Sequence, residues 1–252
     1  MRETSNSRKY NFSDFTRENY SRLVRLALEK YTVLTYLQPR DAGRFLLWRH
    51  DVDFSLHAAL KLAEIERAHG MRATYFLLLH SEFYNLLERE CIDIARRVLA
   101  LGHRLGLHFD HQFWHVEDEP GLERALKFEK RVLEHCLDHA VEAFSFHMPD
   151  AASARLQADR YCDLVNTYSV YFKSEVGYCS DSNGYWRFRR LEDVLRDGSD
   201  ARLQVLTHPE YWQEEIMSPR ERVERCISGR AKKVRAWYQN VLYMTGREDI
   251  DW

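Results

Sequence analysis

Glycine and proline are both scarce, at 10 and 5 of 252 residues. That excludes collagen-like chains, glycine-rich linkers and proline-rich tails. Long apolar runs are missing too. The longest, Phe45 to Trp48 and Phe76 to Leu79, are far too short to span a bilayer. The opening stretch, MRETSNSRKYNFSDF, has no apolar core of a secretory leader. The five cysteines are an odd number without a CxxC pair, which reads as scattered thiols of a reducing compartment. A cytoplasmic location is therefore expected. No sign of charge dominates: 37 Lys plus Arg face 39 Asp plus Glu, a net −2. Without a broad basic field, nucleic acid is not the expected partner. What is present is ordinary for a globular domain, 45% hydrophobic and 30% charged residues, with a high count of 12 histidines.

The apolar pattern alternates between two periods. Tyr20, Leu23, Val24, Ala27, Tyr31 and Leu34 recur at helical spacing, with Pro39 beyond them as a stop. A short apolar strand follows at 44–49. A helix capped by Ser55 then runs through His69, with Gly70 as its stop. Strands at 73–79, 104–108 and 143–147 are separated by helices at 91–101 and from Pro120 onward. Weaker strands are expected at 164–168, 177–179 and 203–207, and a last long helix from Pro219 to about Gly246. Strand and helix alternating at this rhythm imply parallel strands with crossover helices. One α/β domain over 1–252 is expected, a barrel or strongly curved sheet, with 1–40 as a helical extension and 152–198 as irregular loops over its mouth.

Polar clusters fall where strands end. The first strand runs into Arg49-His50-Asp51-Val52-Asp53, the third into His108-Phe109-Asp110-His111, the fourth into His147-Met148-Pro149 and a late one into His208-Pro209. In parallel folds these ends share one rim, where sites are built. Asp53, His108 and His111 would supply one carboxylate and two imidazoles, a donor set that leaves positions open for water. Asp110, His115 and His147 are alternatives for the third ligand. Asp51 and Asp53 share a side of an extended strand, so one can serve a metal while the other acts as a base.

These motifs, in this order from Leu46 to Trp212, resemble the polysaccharide deacetylase superfamily, also called the NodB homology domain. His50-Asp51-Val52-Asp53 is similar to its first motif and Gly106-Leu107-His108 with His111 to its metal-histidine motif. Phe146-His147-Met148-Pro149 stands at the third motif, where the usual Arg is replaced by His147. Asp181 through Arg187 and Leu206-Thr207-His208-Pro209 resemble the fourth and fifth. The resemblance implies a distorted (β/α) barrel of about seven parallel strands with outer helices. It also implies a divalent metal, Zn²⁺ as first choice, on Asp53, His108 and His111, with Asp51 as base and His208 as general acid. His50, His147, Asp181, Trp186 and Trp212 are the expected substrate-binding positions.

The branch it resembles serves bacterial surface-polysaccharide (O-antigen) biosynthesis. The expected function is a metal-dependent hydrolase removing an N-acyl group from an amino sugar, carried on a sugar nucleotide or lipid-linked glycan. The alternative is a non-catalytic carbohydrate-binding relative, since the third-motif Arg is missing and the two His stand three rather than four apart. A third reading, a non-haem iron oxygenase built on His108-Phe109-Asp110, suits antiparallel sandwiches and not this alternation.

Overall fold

The computed structural model describes residues 5–38 and 43–250. It begins with helix α1 (Ser5–Lys9), a 3-10 turn (Phe12–Phe15), α2 (Arg17–Lys30) and β1 (Thr32–Leu34). The central units are β2 (Phe45–Val52), α3 (Leu56–Ala68), β3 (Thr74–Leu78), α4 (Arg89–Ala100), β4 (Arg104–Phe109), α5 (Glu119–Leu137) and β5 (Val141–Phe146). Then come β6 (Arg160–Tyr161), β7 (Leu164–Asn166), α6 (Val170–Ser174), β8 (Gly177–Ser180) and α7 (Leu191–Asp197). The last elements are β9 (Arg202–Thr207), a 3-10 turn (Pro209–Tyr211) and α8 (Pro219–Thr245).

The strands form one nine-stranded sheet in the order β6-β7-β5-β4-β3-β2-β9-β8, with β1 also against β2. Every pairing is parallel except β6 with β7. The sheet is curled, with helices outside, as the expected α/β class requires. It remains an open barrel with β6 and β8 at its edges.

Strand alternation divides the core in two. On β2, Phe45 and Leu47 join Phe76, Ala143 and Val165 inside the curl. Leu46, Trp48 and Val52 join the larger cluster beneath the helices. The inner space is tight. A Cβ on Gly106 would stand 2.5 Å from the Phe76 ring, so only glycine fits on β4 there. Helix ends follow their caps: Ser55 accepts from Ala58 N–H, and Ser218 with Glu221 forms a capping box at α8.

One expectation is corrected. The helical spacing from Tyr20 to Leu34 does not make one helix. Helix α2 stops at Lys30, and Thr32–Leu34 pairs with Phe45, Leu46 and Leu47 as a strand. The β-branched Thr32-Val33 pair favours extended backbone, and spacing alone cannot separate the two over so few residues. Pro39 lies outside the described residues. Segment 152–198 is also more ordered than expected, containing three strands and two short helices.

Candidate metal and catalytic site

Period-2 alternation decides which strand-end residues meet. Asp51 and Asp53 continue the inner positions of β2, His108 follows Gly106 on β4, and His147 follows Ala143 and Ser145 on β5. The ladder extends one step past β5, with His147 N–H donating to Phe109 C=O at 2.8 Å, which seats His147 beside His108. Met148 then turns the chain away in the left-handed region, φ 44°.

The result is a donor triangle. Asp53 Oδ1 lies 3.1 Å from His108 Nε2 and 3.7 Å from His147 Nδ1. The two imidazole nitrogens are 3.2 Å apart. Among the described residues this is the group of three or more His, Cys, Asp or Glu close enough to share a metal ion. A tetrahedral ion with bonds of about 2.0–2.1 Å separates its ligands by about 3.3 Å, so the spacing fits. Two buried carboxylate oxygens, Asp53 Oδ1 in the triangle and Asp51 Oδ1 of the same strand, have no hydrogen-bond partner, which suits a cation site.

Supporting contacts orient these groups. His108 Nδ1 is 2.7 Å from Ser145 Oγ, which leaves Nε2 aimed at Asp53. Ser145 Oγ in turn donates to Asp51 Oδ2 at 3.4 Å. Asp51 is 2% exposed and Arg49 is fully buried. Arg49 Nη2–H donates to Asp51 Oδ2 at 2.9 Å and Nη1–H to Thr167 Oγ1 at 2.7 Å. In the sequence Arg49 opens the polar cluster at the end of the first strand without a role of its own. Its place on the inner face of β2, two before Asp51, is the signal for one.

His208 stands on the other side of Asp53, its Nε2 3.8 Å from Asp53 Oδ2. Its Nδ1–H donates to Asp181 Oδ1 at 2.7 Å, and its backbone N–H also reaches Asp181. Burial opposes the charged imidazolium, but Asp181 and then Asp53 and Glu210 outweigh it and push His208 up to about 10. At Asp53, burial raises the carboxyl pKa, yet His108, His147 and His208 together hold it well below the usual range. Burial acts against His147 as well, and Asp53 raises it overall. Neighbouring Glu210, also unforeseen, is fully buried with neither oxygen partnered, and burial plus the charge of Asp53 push its carboxyl well up.

Several expected positions lie elsewhere. His111, expected beside Asp53 and His108, is buried with Nε2 3.0 Å from Asp150 Oδ1, and the second imidazole of the triangle is His147. Three residues past His108 the chain has left the strand, so His111 is no longer governed by its alternation. His50, expected to contact substrate, is fully buried on the outer face of β2. There its Nε2 meets Glu66 Oε1 at 2.6 Å and its Nδ1 meets Thr207 Oγ1 at 2.8 Å. Asp181 is also fully buried, holding His208 and the Trp212 indole N–H (2.9 Å). Trp212 is 1% exposed and packs on Phe15. Trp186 stacks on Phe15 and donates to Asp14 Oδ2 at 2.8 Å. These indoles pack around Phe15 beside the residues that hold His208, Trp212 buried and Trp186 half-buried. A separate cavity of about 570 Å³ lies between α3, α4 and α8, but none of the donor residues lines it.

No protein-family profile matches the chain, and no curated protein does. Among solved structures it is similar to a family 4 carbohydrate esterase from Bacillus anthracis, with 14% identity, TM-score 0.46, and 85% of this chain and 86% of that one covered. It is also similar to the Xyl-CE4 domain of a multidomain xylanase from the hindgut metagenome of Trinervitermes trinervoides (10% identity, TM-score 0.44, 84% and 96% covered). A third is the chitin deacetylase of Colletotrichum lindemuthianum (13% identity, TM-score 0.42, 79% and 86% covered). Likenesses this remote assign no residue a role.

Proposed function

We propose that this chain is a metal-dependent hydrolase that removes an N-acyl group from an amino sugar in surface-polysaccharide (O-antigen) biosynthesis. The observation that carries the reading is the Asp53–His108–His147 triangle, flanked by a braced carboxylate and a braced imidazole. Asp53, His108 and His147 would hold the ion, and Zn²⁺ suits one oxygen and two nitrogen donors. When bound, such an ion polarises an amide carbonyl and acidifies water.

The chain's own residues do the rest. Asp51 accepts a proton from the attacking water through its unpartnered Oδ1, while Arg49 fixes the other oxygen. Water oxygen bonds to the carbonyl carbon, the C–N bond breaks, and the proton on His208 Nε2 passes to the departing amine. Asp181 keeps that imidazole charged and aimed inward. A sugar nucleotide or lipid-linked glycan in the cytoplasm is the substrate class that the motif resemblance suggests, within a single domain over 1–252.

One observation favours the alternative, a non-catalytic carbohydrate-binding relative: Asp51 is only 2% exposed and its Oδ2 is engaged by Arg49. Turnover separates the two. With Zn²⁺ restored, the wild type should release acid from an N-acylated amino-sugar nucleotide or glycan, and Asp51→Asn should lose about 10²–10⁴-fold at unchanged metal content. His208→Ala should slow amide hydrolysis far more than hydrolysis of an activated aryl ester, whose leaving group needs no proton. Binding without turnover on any acylated sugar tested would select the alternative.

A further inference from the structure

The inward positions of the curled sheet are well sealed. Phe45 and Leu47 on β2, Phe76 on β3, Ala143 on β5 and Val165 on β7 are each at most 3% exposed. Gln204 on β9 is buried too and accepts from the Tyr36 hydroxyl at 2.9 Å. Tyr178 on β8 breaks this pattern. It stands in register beside Gln204, which stands beside Leu47, so it shares their inward face. Yet it is 42% exposed, because β8 ends the strand order and forms one edge of the open barrel.

That edge is close to the reacting groups. Ser180, two residues on and half-buried, faces the same way. It pairs in register with Leu206, and Leu206 with Arg49. From the opposite end of the sheet comes Tyr168, just beyond β7 and also half-buried. The Arg49 guanidinium lies 5.4 Å from its ring centroid and donates toward its Oη at 3.5 Å. This contact is made across the curl. Burial raises the Tyr178 hydroxyl above the usual phenol range, Arg49 opposes the rise, and Tyr168 and Asp51 add to it. The hydroxyl end of Tyr178 therefore reaches toward Arg49 and Asp51 while much of the side chain stays open to water.

We infer that the open edge of the barrel between Tyr168 and Tyr178 is a sugar subsite, where the ring of Tyr178 lies against the apolar C–H face of a pyranose and the hydroxyls of Tyr168 and Ser180 meet its polar edge. A flat ring with a polar tip, half in water, suits a ligand with one apolar face and a hydroxylated rim. A purely apolar ligand would take water from the Ser180 and Tyr168 hydroxyls and return no hydrogen bond. The two indoles expected to contact substrate, Trp186 and Trp212, pack on Phe15, which leaves Tyr178 as an exposed aromatic ring on the inward face. The inference rests on the proposed reading for its substrate class, and it adds the residues that select the ring.

The test uses the full chain with Zn²⁺ restored and two probes, N,N′-diacetylchitobiose and UDP-N-acetylglucosamine. Binding is read by calorimetry and by saturation transfer to the sugar C–H protons. The wild type should bind at least one probe. Tyr178→Ala and Tyr178→Leu should weaken that binding about 10-fold, while Tyr178→Phe, which keeps the flat face, should stay within about 2-fold. Leucine keeps apolar bulk on the edge strand, so a loss of binding at unchanged thermal unfolding separates the missing ring face from missing folding. Trp237→Ala, which removes an aromatic side chain 65% exposed on α8, should change nothing. Where the chain turns a probe over, Tyr178→Leu should raise KM about 10-fold with kcat nearly unchanged, as the loss of uniform binding does. Turnover indifferent to Tyr178→Leu would overturn the inference and leave the hydrolase reading standing. Binding that depends on Tyr178 without any turnover would do the reverse. A wild type that binds neither probe, or a Tyr178→Leu protein that binds as the wild type does, would also overturn the inference.

Discussion

Replacing Arg49 with methionine isolates the ion pair beneath the site. Methionine keeps most of the volume inside the curled sheet but removes the donors to Asp51 (2.9 Å) and Thr167 (2.7 Å). Asp51, 2% exposed, would keep only Ser145 Oγ at 3.4 Å and His108 Nδ1 at 3.7 Å. Leaving one partner of a buried pair charged and alone typically costs about 3–5 kcal/mol. In a domain of this size each kcal/mol lowers Tm by about 2–4 °C, so Arg49→Met should melt about 6–20 °C below wild type. Urea unfolding with a chelator present removes any contribution from metal. The double variant Arg49→Met/Asp51→Asn should recover part of the loss, because asparagine carries no charge to strand, with a coupling of roughly 1–3 kcal/mol. Arg49→Lys should fall between, since one ammonium cannot span both partners as the guanidinium fork does. If Arg49→Met costs less than about 1 kcal/mol, or the two substitutions add without coupling, the pair does not brace Asp51 and the reasoning fails.

Metal content after dialysis against Zn²⁺ should fall to background in His147→Ala and stay at the wild-type level in His111→Ala; the reverse would restore His111 as the third ligand. In metal-free protein, NMR titration should place His208 well above the ordinary imidazole range of about 6.5, and Asp181→Asn should bring it down. Because the folded pKa is raised to about 10, stability drawn from the His208–Asp181 pair is complete below about pH 6.5 and is lost as pH rises toward 10. An Asp181→Asn protein whose stability falls off over that window as the wild type does would contradict the pairing. Gly106→Ala places a methyl 2.5 Å from the Phe76 ring. It should destabilise by about 1–3 kcal/mol, with Phe76→Leu restoring part of that in calorimetry.

The strands were legible because their apolar runs are short and each is closed by a helix stop or cap, as at Ser55, Gly70 and Pro120. Their C-terminal polar residues were legible for the same reason. The second imidazole of the triangle was within reach, since Ala143, Ser145 and His147 alternate as surely as Asp51 and Asp53 do. Following the motif spacing to His111 overrode that signal. The partners of Arg49 and Asp181 were harder. Alternation puts Arg49 on the same side as Asp51, and motif order marks Asp181, but their contacts to Thr167 and His208 cross the sheet and no local pattern encodes those. The packing of the tryptophans on Phe15 was not readable, because an indole beside a site looks the same in sequence whatever it faces. The stop of α2 at Lys30 was not readable from spacing that suits helix and strand alike.

The seat of His208 is assembled from opposite ends of the sequence, and this orders events during synthesis. Phe15 packs on Trp186 and Trp212, Asp14 holds Arg190 176 positions away, and Arg17 N–H donates to Gln213 C=O. At 5–20 residues per second, about 10–40 s separate the translation of Phe15 from that of Trp212. Throughout that interval Phe15 and Tyr20 lack their final cover and present apolar surface to chaperones. Asp53, His108 and His147 are all translated well before His208, at the ends of β2, β4 and β5, which lie within four successive strands of the sheet. If the proposed function holds, a nascent chain would carry the three donor residues before it carries its acid, and could meet an ion while still unable to complete a turnover.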